Sequence, residues 1–179
     1  MNCWDSINVA EQLGFYRRIL LSCLFGLMSF IILYLPFSLI HSDIIVKDHG
    51  VIPVMIGFAI LPLLHKILRI LPIICVNKQM KLIWTLEKNV FPNFHVYNLR
   101  HTSKKMIFIA LSMPTLLITI PCIIGGYFIP GEYPYFLLFG ATNLSLSYID
   151  FLSLRRLWSA PKKCVIVNDN QNYDILIQR

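Results

Sequence analysis

The stretch from Val51 to Val76 constrains this chain most, because it is long and apolar enough to cross a lipid bilayer. A hydrophobic run of about 20 residues spans the hydrocarbon core as a helix. Three polar side chains interrupt the run well inside its ends, namely His65, Lys66 and Arg69. A charge near the centre of a membrane helix costs about 2.5–3.5 kcal/mol on insertion scales. We therefore predict a membrane helix with one face turned towards a polar partner in the protein.

The composition of the whole chain is typical of an integral membrane protein. Its 179 residues are 56% hydrophobic and 14% charged, whereas a soluble domain is about 45–50% apolar and about 25% charged. We attribute the formal net charge of +7 to membrane topology rather than to a ligand, since Lys and Arg accumulate on the cytoplasmic side of membrane proteins. We predict no nucleic-acid binding, because no basic and aromatic patch stands apart from the hydrophobic stretches. The five cysteines form no CxxC pair, which argues against a zinc knuckle or a disulfide framework.

Four hydrophobic stretches predict four transmembrane helices, at about 19–40, 51–76, 106–129 and 135–154. Thirteen of the 16 Lys and Arg residues lie before the first span, in the segment 77–105 or in the tail 155–179, and Lys47 alone lies on the other side. The positive-inside rule then places both termini and the central segment in the cytoplasm. Alternating β-prone runs in that segment and in the tail predict short strands. The predicted fold is an all-α, multi-pass cell-membrane protein, one domain over 1–179, with a small cytoplasmic β element.

The residues before the first span predict a short amphipathic helix. Asp5 or Ser6 can cap such a helix at its N-terminus. Its apolar side would contain Trp4, Ile7 and Leu13, and a helix of this kind lies on the membrane surface. We therefore expect an interfacial anchor ahead of the first span.

The loop between the first two spans carries four potential metal ligands: His41, Asp43, Asp48 and His49. Their spacing matches no zinc motif. Polar residues are also what any short aqueous loop contains. We therefore interpret them as ordinary loop residues rather than as a metal site.

Polar residues of the second and fourth spans are expected at similar depths. Both spans run inwards, and Asp150 lies about one turn from the cytoplasmic end of its span, near the depth of His65 and Arg69. His65 and Arg69 are four residues apart and share a helix face. An Asp within a membrane span needs a cation or a metal. We therefore predict that Asp150 pairs with Arg69 or Lys66, and that His65 lies beside them.

These residues resemble two motifs of the DUF3267 family of membrane-embedded zincin-like peptidases. In that family a membrane helix carries HExxH, and a later helix supplies a third ligand, an acid that follows an Asn and Ser stretch. Here the first motif reads HKILR at residues 65–69, and the second reads NLSLSYID at residues 143–150. The proline of LSMPTLLIT in the third span and the closing APKKCVIVNDNQNYDILI also look like that family.

The departures from HExxH decide what the resemblance implies. Two His one turn apart bind Zn²⁺ in that motif, while the Glu is the general base to a bound water. Lys66 stands at the Glu position and cannot accept a proton while charged, and Arg69 stands at the second His position and cannot coordinate a metal. His65 and Asp150 are the ligands that remain, and two are too few for a tetrahedral site. The resemblance therefore implies a degenerate member without zinc.

The sequence thus predicts a relic site converted to an ion pair, with these candidate residues: His65, Lys66, Arg69, Asn143, Ser147 and Asp150. The predicted function is non-catalytic, an interaction or regulatory protein with a protein partner in the membrane and no cofactor. Two other functions stay open. An active intramembrane zinc metalloprotease would need further ligands, and a small transporter or channel subunit would use His65 and Asp150 to line a polar path. Lys66 and Arg69 could also simply extend to the cytoplasmic interface on their long stems.

Overall fold

Long apolar helices dominate the computed structural model. It describes residues 2–7, 14–42, 44–76, 81–85, 93–97, 102–159, 164–169 and 172–177. The other residues of the central segment and of the tail lie outside the described part of the chain.

The first two helices have equal length. α1 covers Phe15–Ile40 and α2 covers Val51–Val76, 26 residues each. At 1.5 Å per residue each is about 39 Å long, which exceeds the roughly 30 Å of a bilayer's hydrocarbon core. α2 has the bounds that the sequence predicted, and α1 begins about one turn earlier than expected.

The third hydrophobic stretch is one continuous helix of 25 residues, Lys104–Phe128. It consists of α3 (Lys104–Pro114), a π-helical turn (Thr115–Thr119) and α4 (Ile120–Phe128). Pro121 has no backbone N–H to donate, so the α-helical bonding pattern is interrupted just ahead of it. A π-helical turn inside an α-helix is frequently found at a functional site.

The fourth hydrophobic stretch is a bent pair of helices, α5 (Tyr133–Leu146) and α6 (Tyr148–Ser159). Their axes differ by 48° at Ser147. α5 alone is about 21 Å long and is too short to cross the hydrocarbon core. Three helices are therefore long and apolar enough to span a membrane, and the bent pair makes a fourth span if it is counted as one.

Two connections meet at one end of the helical bundle, here called the loop end (residues 44–50 and 129–135). The backbone N–H of Lys47 donates to the carbonyl of Gly131 over 2.9 Å. His49 Nε2 lies 3.0 Å from Glu132 Oε1. The loop after α1 and the turn after α4 therefore lie on the same side of the protein.

Short strands form two antiparallel sheets outside the helices. Their bounds are β1 Asn2–Ile7, β2 Lys81–Thr85, β3 Asn93–Tyr97, β4 Thr102–Ser103, β5 Cys164–Asp169 and β6 Asn172–Ile177. One sheet has the strand order β1-β6-β5-β4, and β2 pairs with β3 in the other. The amphipathic helix predicted ahead of the first span was therefore wrong for residues 2–7, because β6 provides a pairing edge for them.

α1 lies close to α5 where Gly26 faces Ser145. A Cβ atom on Gly26 would lie 2.7 Å from Ser145 Cβ, so only glycine fits there. One turn away, Ser22 Oγ donates to the carbonyl of Ser145, and Ser145 Oγ donates to the carbonyl of Ser22. Small residues and reciprocal hydroxyl hydrogen bonds of this kind hold membrane helices together, because the hydrophobic effect does not drive helices to associate within lipid.

Candidate functional site

The imidazole of His65 is the centre of a buried polar cluster. His65 is 6% exposed, and both of its ring nitrogens face the bent helix pair. Nδ1 lies 2.9 Å from Asn143 Oδ1, and Nε2 lies 3.2 Å from Asp150 Oδ2. Asn143 precedes the bend at Ser147 and Asp150 follows it, so the bend brings the two side chains to opposite edges of one ring.

The orientation of the Asn143 amide determines that Nδ1 of His65 carries a hydrogen. Asn143 Nδ2 donates to the carbonyl of Pro114 over 3.1 Å and to Thr119 Oγ1 over 3.0 Å. A backbone carbonyl only accepts hydrogen bonds, so the NH₂ group must be on that side of the amide. Asn143 Oδ1 therefore faces His65, and Nδ1 of His65 carries the hydrogen that it accepts.

The other ring nitrogen of His65 contacts the carboxyl group of Asp150, with Nε2 3.2 Å from Oδ2. Because Nδ1 faces Asn143 and Nε2 faces Asp150, both nitrogens of His65 have partners within the protein.

Arg69 is the cation that pairs with Asp150. Its Nη1 lies 3.0 Å from Asp150 Oδ1. Asp150 is 2% exposed, whereas the side chain of Arg69 is 34% exposed. Both carboxylate oxygens are thus engaged, one by Arg69 and one by His65. A buried carboxylate of this kind is strongly destabilising when its cation is removed.

The network continues to the π-helical turn through hydroxyl groups. Ser147 Oγ donates to the carbonyl of Asn143 over 2.9 Å, and Thr115 Oγ1 donates to Ser147 Oγ over 3.0 Å. Sequence reasoning missed Thr115 and Thr119. The available signal was two hydroxyl residues four apart inside an apolar span, between two prolines.

The structure brings together five of the six residues singled out in the sequence and leaves one apart. His65, Arg69, Asn143, Ser147 and Asp150 form the cluster. Lys66 is exposed on the surface of α2. Of the two cations proposed as partners of Asp150, Arg69 is the one beside it.

A comparison with models of protein families identifies the family of this chain. The model of the family DUF3267, described as "Putative zincin peptidase", matches residues 58–165, which is more than half of the chain. This chain belongs to the DUF3267 family. The matched range includes every residue of the buried cluster. No curated protein and no solved structure matches the chain.

The zinc implied by this family description was tested against the donor atoms of the cluster. A catalytic zinc site has three protein ligands and an open position for water. The cluster offers one imidazole and one carboxylate, and a guanidinium occupies the third position. Among the described residues, no group of three or more His, Cys, Asp or Glu side chains is arranged to hold a metal ion. The buried cluster of this DUF3267 member, as the described part of the chain shows it, does not fit a zincin site.

The potential ligands of the loop after α1 have other contacts. The ring of His41 stacks between Phe37 and Tyr133. His49 pairs with Glu132, and the carboxylate of Asp48 accepts a hydrogen bond from the backbone N–H of Gly50. Asp43 lies outside the described residues.

Proposed function

We propose that this protein keeps the membrane scaffold of its family without peptidase chemistry, and that it acts as an interaction or regulatory protein in the membrane. The ion pair between Arg69 and Asp150 carries this proposal. It holds a guanidinium where a zincin needs its second histidine, and it occupies the carboxylate that would be the third ligand.

The chemistry of peptide hydrolysis supports the same conclusion. A zincin needs a metal-bound water and a carboxylate base beside it. The base position of the motif is Lys66, which is an exposed cation. A positive charge at Arg69 would also repel Zn²⁺. The cluster is instead suited to holding α2 against α5 and α6.

The content of bound metal tests the proposal. We expect protein purified in detergent from cells grown with zinc to contain far less than one zinc per chain by elemental analysis. One zinc per wild-type chain, lost in the variant Asp150→Ala, would overturn the proposal. That result would favour the alternative of an active intramembrane metalloprotease.

The proposed topology has four spans, with both termini and the β element in the cytoplasm. The distribution of Lys and Arg supports this orientation, because thirteen of 16 flank that side. The loop end, which carries Lys47 alone among these residues, would face the outside. The contact between Lys47 and Gly131 keeps both outer connections on one side, as four spans require.

Cysteine labelling in intact cells tests the topology. In a cysteine-free background, Ser42→Cys and Gly131→Cys should react with a membrane-impermeant maleimide. Ser159→Cys, at the C-terminal end of α6, is the matched control and should react only after permeabilisation. Labelling of Gly131→Cys without Ser42→Cys would contradict four spans, and labelling of Ser159→Cys alone would reverse the orientation.

A further inference from the structure

The three polar residues of the HKILR motif differ in burial. His65 and Arg69 contact Asp150 in the buried cluster. Lys66 is exposed, as are Ala59 and Leu63, which precede it by seven and three residues. These spacings place the three side chains on one strip of the helix surface. The strip, Ala59–Leu63–Lys66, is apolar except for one cation.

Lys66 lies so far from the end of α2 that its charge would be unfavourable if only lipid surrounded it. Val76 ends α2 ten residues further on, so the Cα of Lys66 lies about 15 Å from the helix end. A helix of this length extends past a core about 30 Å thick by only a few ångströms at each end. A lysine stem that extends towards the interface recovers part of the lost hydration. A carboxylate at the same depth would compensate the charge directly.

The geometry points to a docking surface for another membrane helix, one that carries an Asp or Glu side chain opposite Lys66. The inference rests on the proposed role in interaction and specifies the partner's chemistry. Ala59, one turn beyond Leu63, has a small side chain that lets a second helix approach closely. The apolar part of the strip would pack against that helix, and the ion pair would fix its rotation and depth.

A second copy of this chain does not supply the required carboxylate. Asp150 is the only acidic residue within the four hydrophobic stretches, and it is buried against Arg69 and His65. Glu132 and Asp48 lie at the loop end, far along α2 from Lys66. At the depth of Lys66 within the membrane, the complementary group therefore comes from a different membrane protein.

Defined peptides test this surface without knowledge of the natural partner. The labelled protein is reconstituted in phosphatidylcholine vesicles with a polyleucine transmembrane peptide that carries one Glu at the depth of Lys66, or with the same peptide carrying Gln. Energy transfer measures association. We expect the Glu peptide to bind about tenfold more tightly, within the range measured for polar contacts between membrane helices.

Variants of Lys66 connect that preference to one side chain. Lys66→Met should abolish the difference between the two peptides, and Lys66→Arg should keep it. Equal binding of both peptides by the wild-type protein, or a preference that survives in Lys66→Met, would overturn the inference and leave Lys66 as a lysine that reaches lipid headgroups. The zinc content is measured separately, so failure here is distinguishable from failure of the proposed function.

Discussion

Arg69 Nη1 lies 3.0 Å from Asp150 Oδ1, across the contact between α2 and α6. The HExxH pattern of the family would place its second histidine at residue 69. The positive charge that a zinc ion would bring to Asp150 comes here from a guanidinium. We propose that this ion pair holds the two helices together at the position where a zincin would hold a metal.

Removing the carboxylate of Asp150 should destabilise the protein. Breaking a buried ion pair costs about 3–5 kcal/mol, because the partner charge is left uncompensated. We expect Asp150→Ala to lower the free energy of unfolding in mixed micelles by that order. The double variant Asp150→Ala with Arg69→Ala should recover part of the loss, because no unpaired guanidinium remains. Strictly additive effects of the two single changes would contradict a direct pairing.

The amide of Asn143 should also contribute to stability. Asn143→Leu leaves the carbonyl of Pro114 and Nδ1 of His65 without their partner, and each orphaned buried group costs about 1–3 kcal/mol. Thr142→Val is the matched control. Its hydroxyl donates only to the carbonyl of Leu138 in its own helix, and we expect a change near zero. Equal unfolding free energies for the two variants would show that the amide does not hold the cluster.

Part of the site could be predicted from the sequence. The depth of Asp150 followed from where its span ends, and the four-residue spacing of His65 and Arg69 put them on one face. The exposure of Lys66 could not be predicted from the motif, because the rotation of α2 depends on which neighbour it packs against. The bend at Ser147 was also missed. It lies at Ser147, whose hydroxyl accepts a hydrogen bond from Thr115, a residue of another helix that is 32 positions away in the sequence.

The rest of the fold was likewise predicted only in part. The three long helices were predicted because about 20 apolar residues in a row have few alternatives. The strand Asn2–Ile7 was missed because its partner, β6, lies at the opposite end of the chain. Local patterns such as a capping residue do not report pairing over that separation, and tertiary context overrides them.

The close approach of α1 to α5 predicts that alanine substitutions of two glycines, Gly26 and Gly126, have different effects on stability. Gly26→Ala should destabilise the protein, because its Cβ would meet Ser145 Cβ at 2.7 Å. Gly126→Ala is the control, since its Cβ would have ordinary contacts of 3.5 Å or more. We expect a clear drop in thermal midpoint for Gly26→Ala alone. Equal tolerance of both changes would show that α1 is not packed tightly against Ser145.

Zinc titration of variants at residue 69 tests most directly whether an ion pair has replaced a metal site. Arg69→His restores the missing HExxH ligand beside His65 and Asp150, and Arg69→Gln removes the cation without adding a ligand. The zinc bound per chain is measured by competition with a fluorescent chelator, followed by elemental analysis. The account predicts one equivalent for Arg69→His, a stronger affinity when Lys66→Glu is added, and none for the wild-type protein or Arg69→Gln. One equivalent bound by the wild-type protein and lost in Asp150→Ala would contradict it.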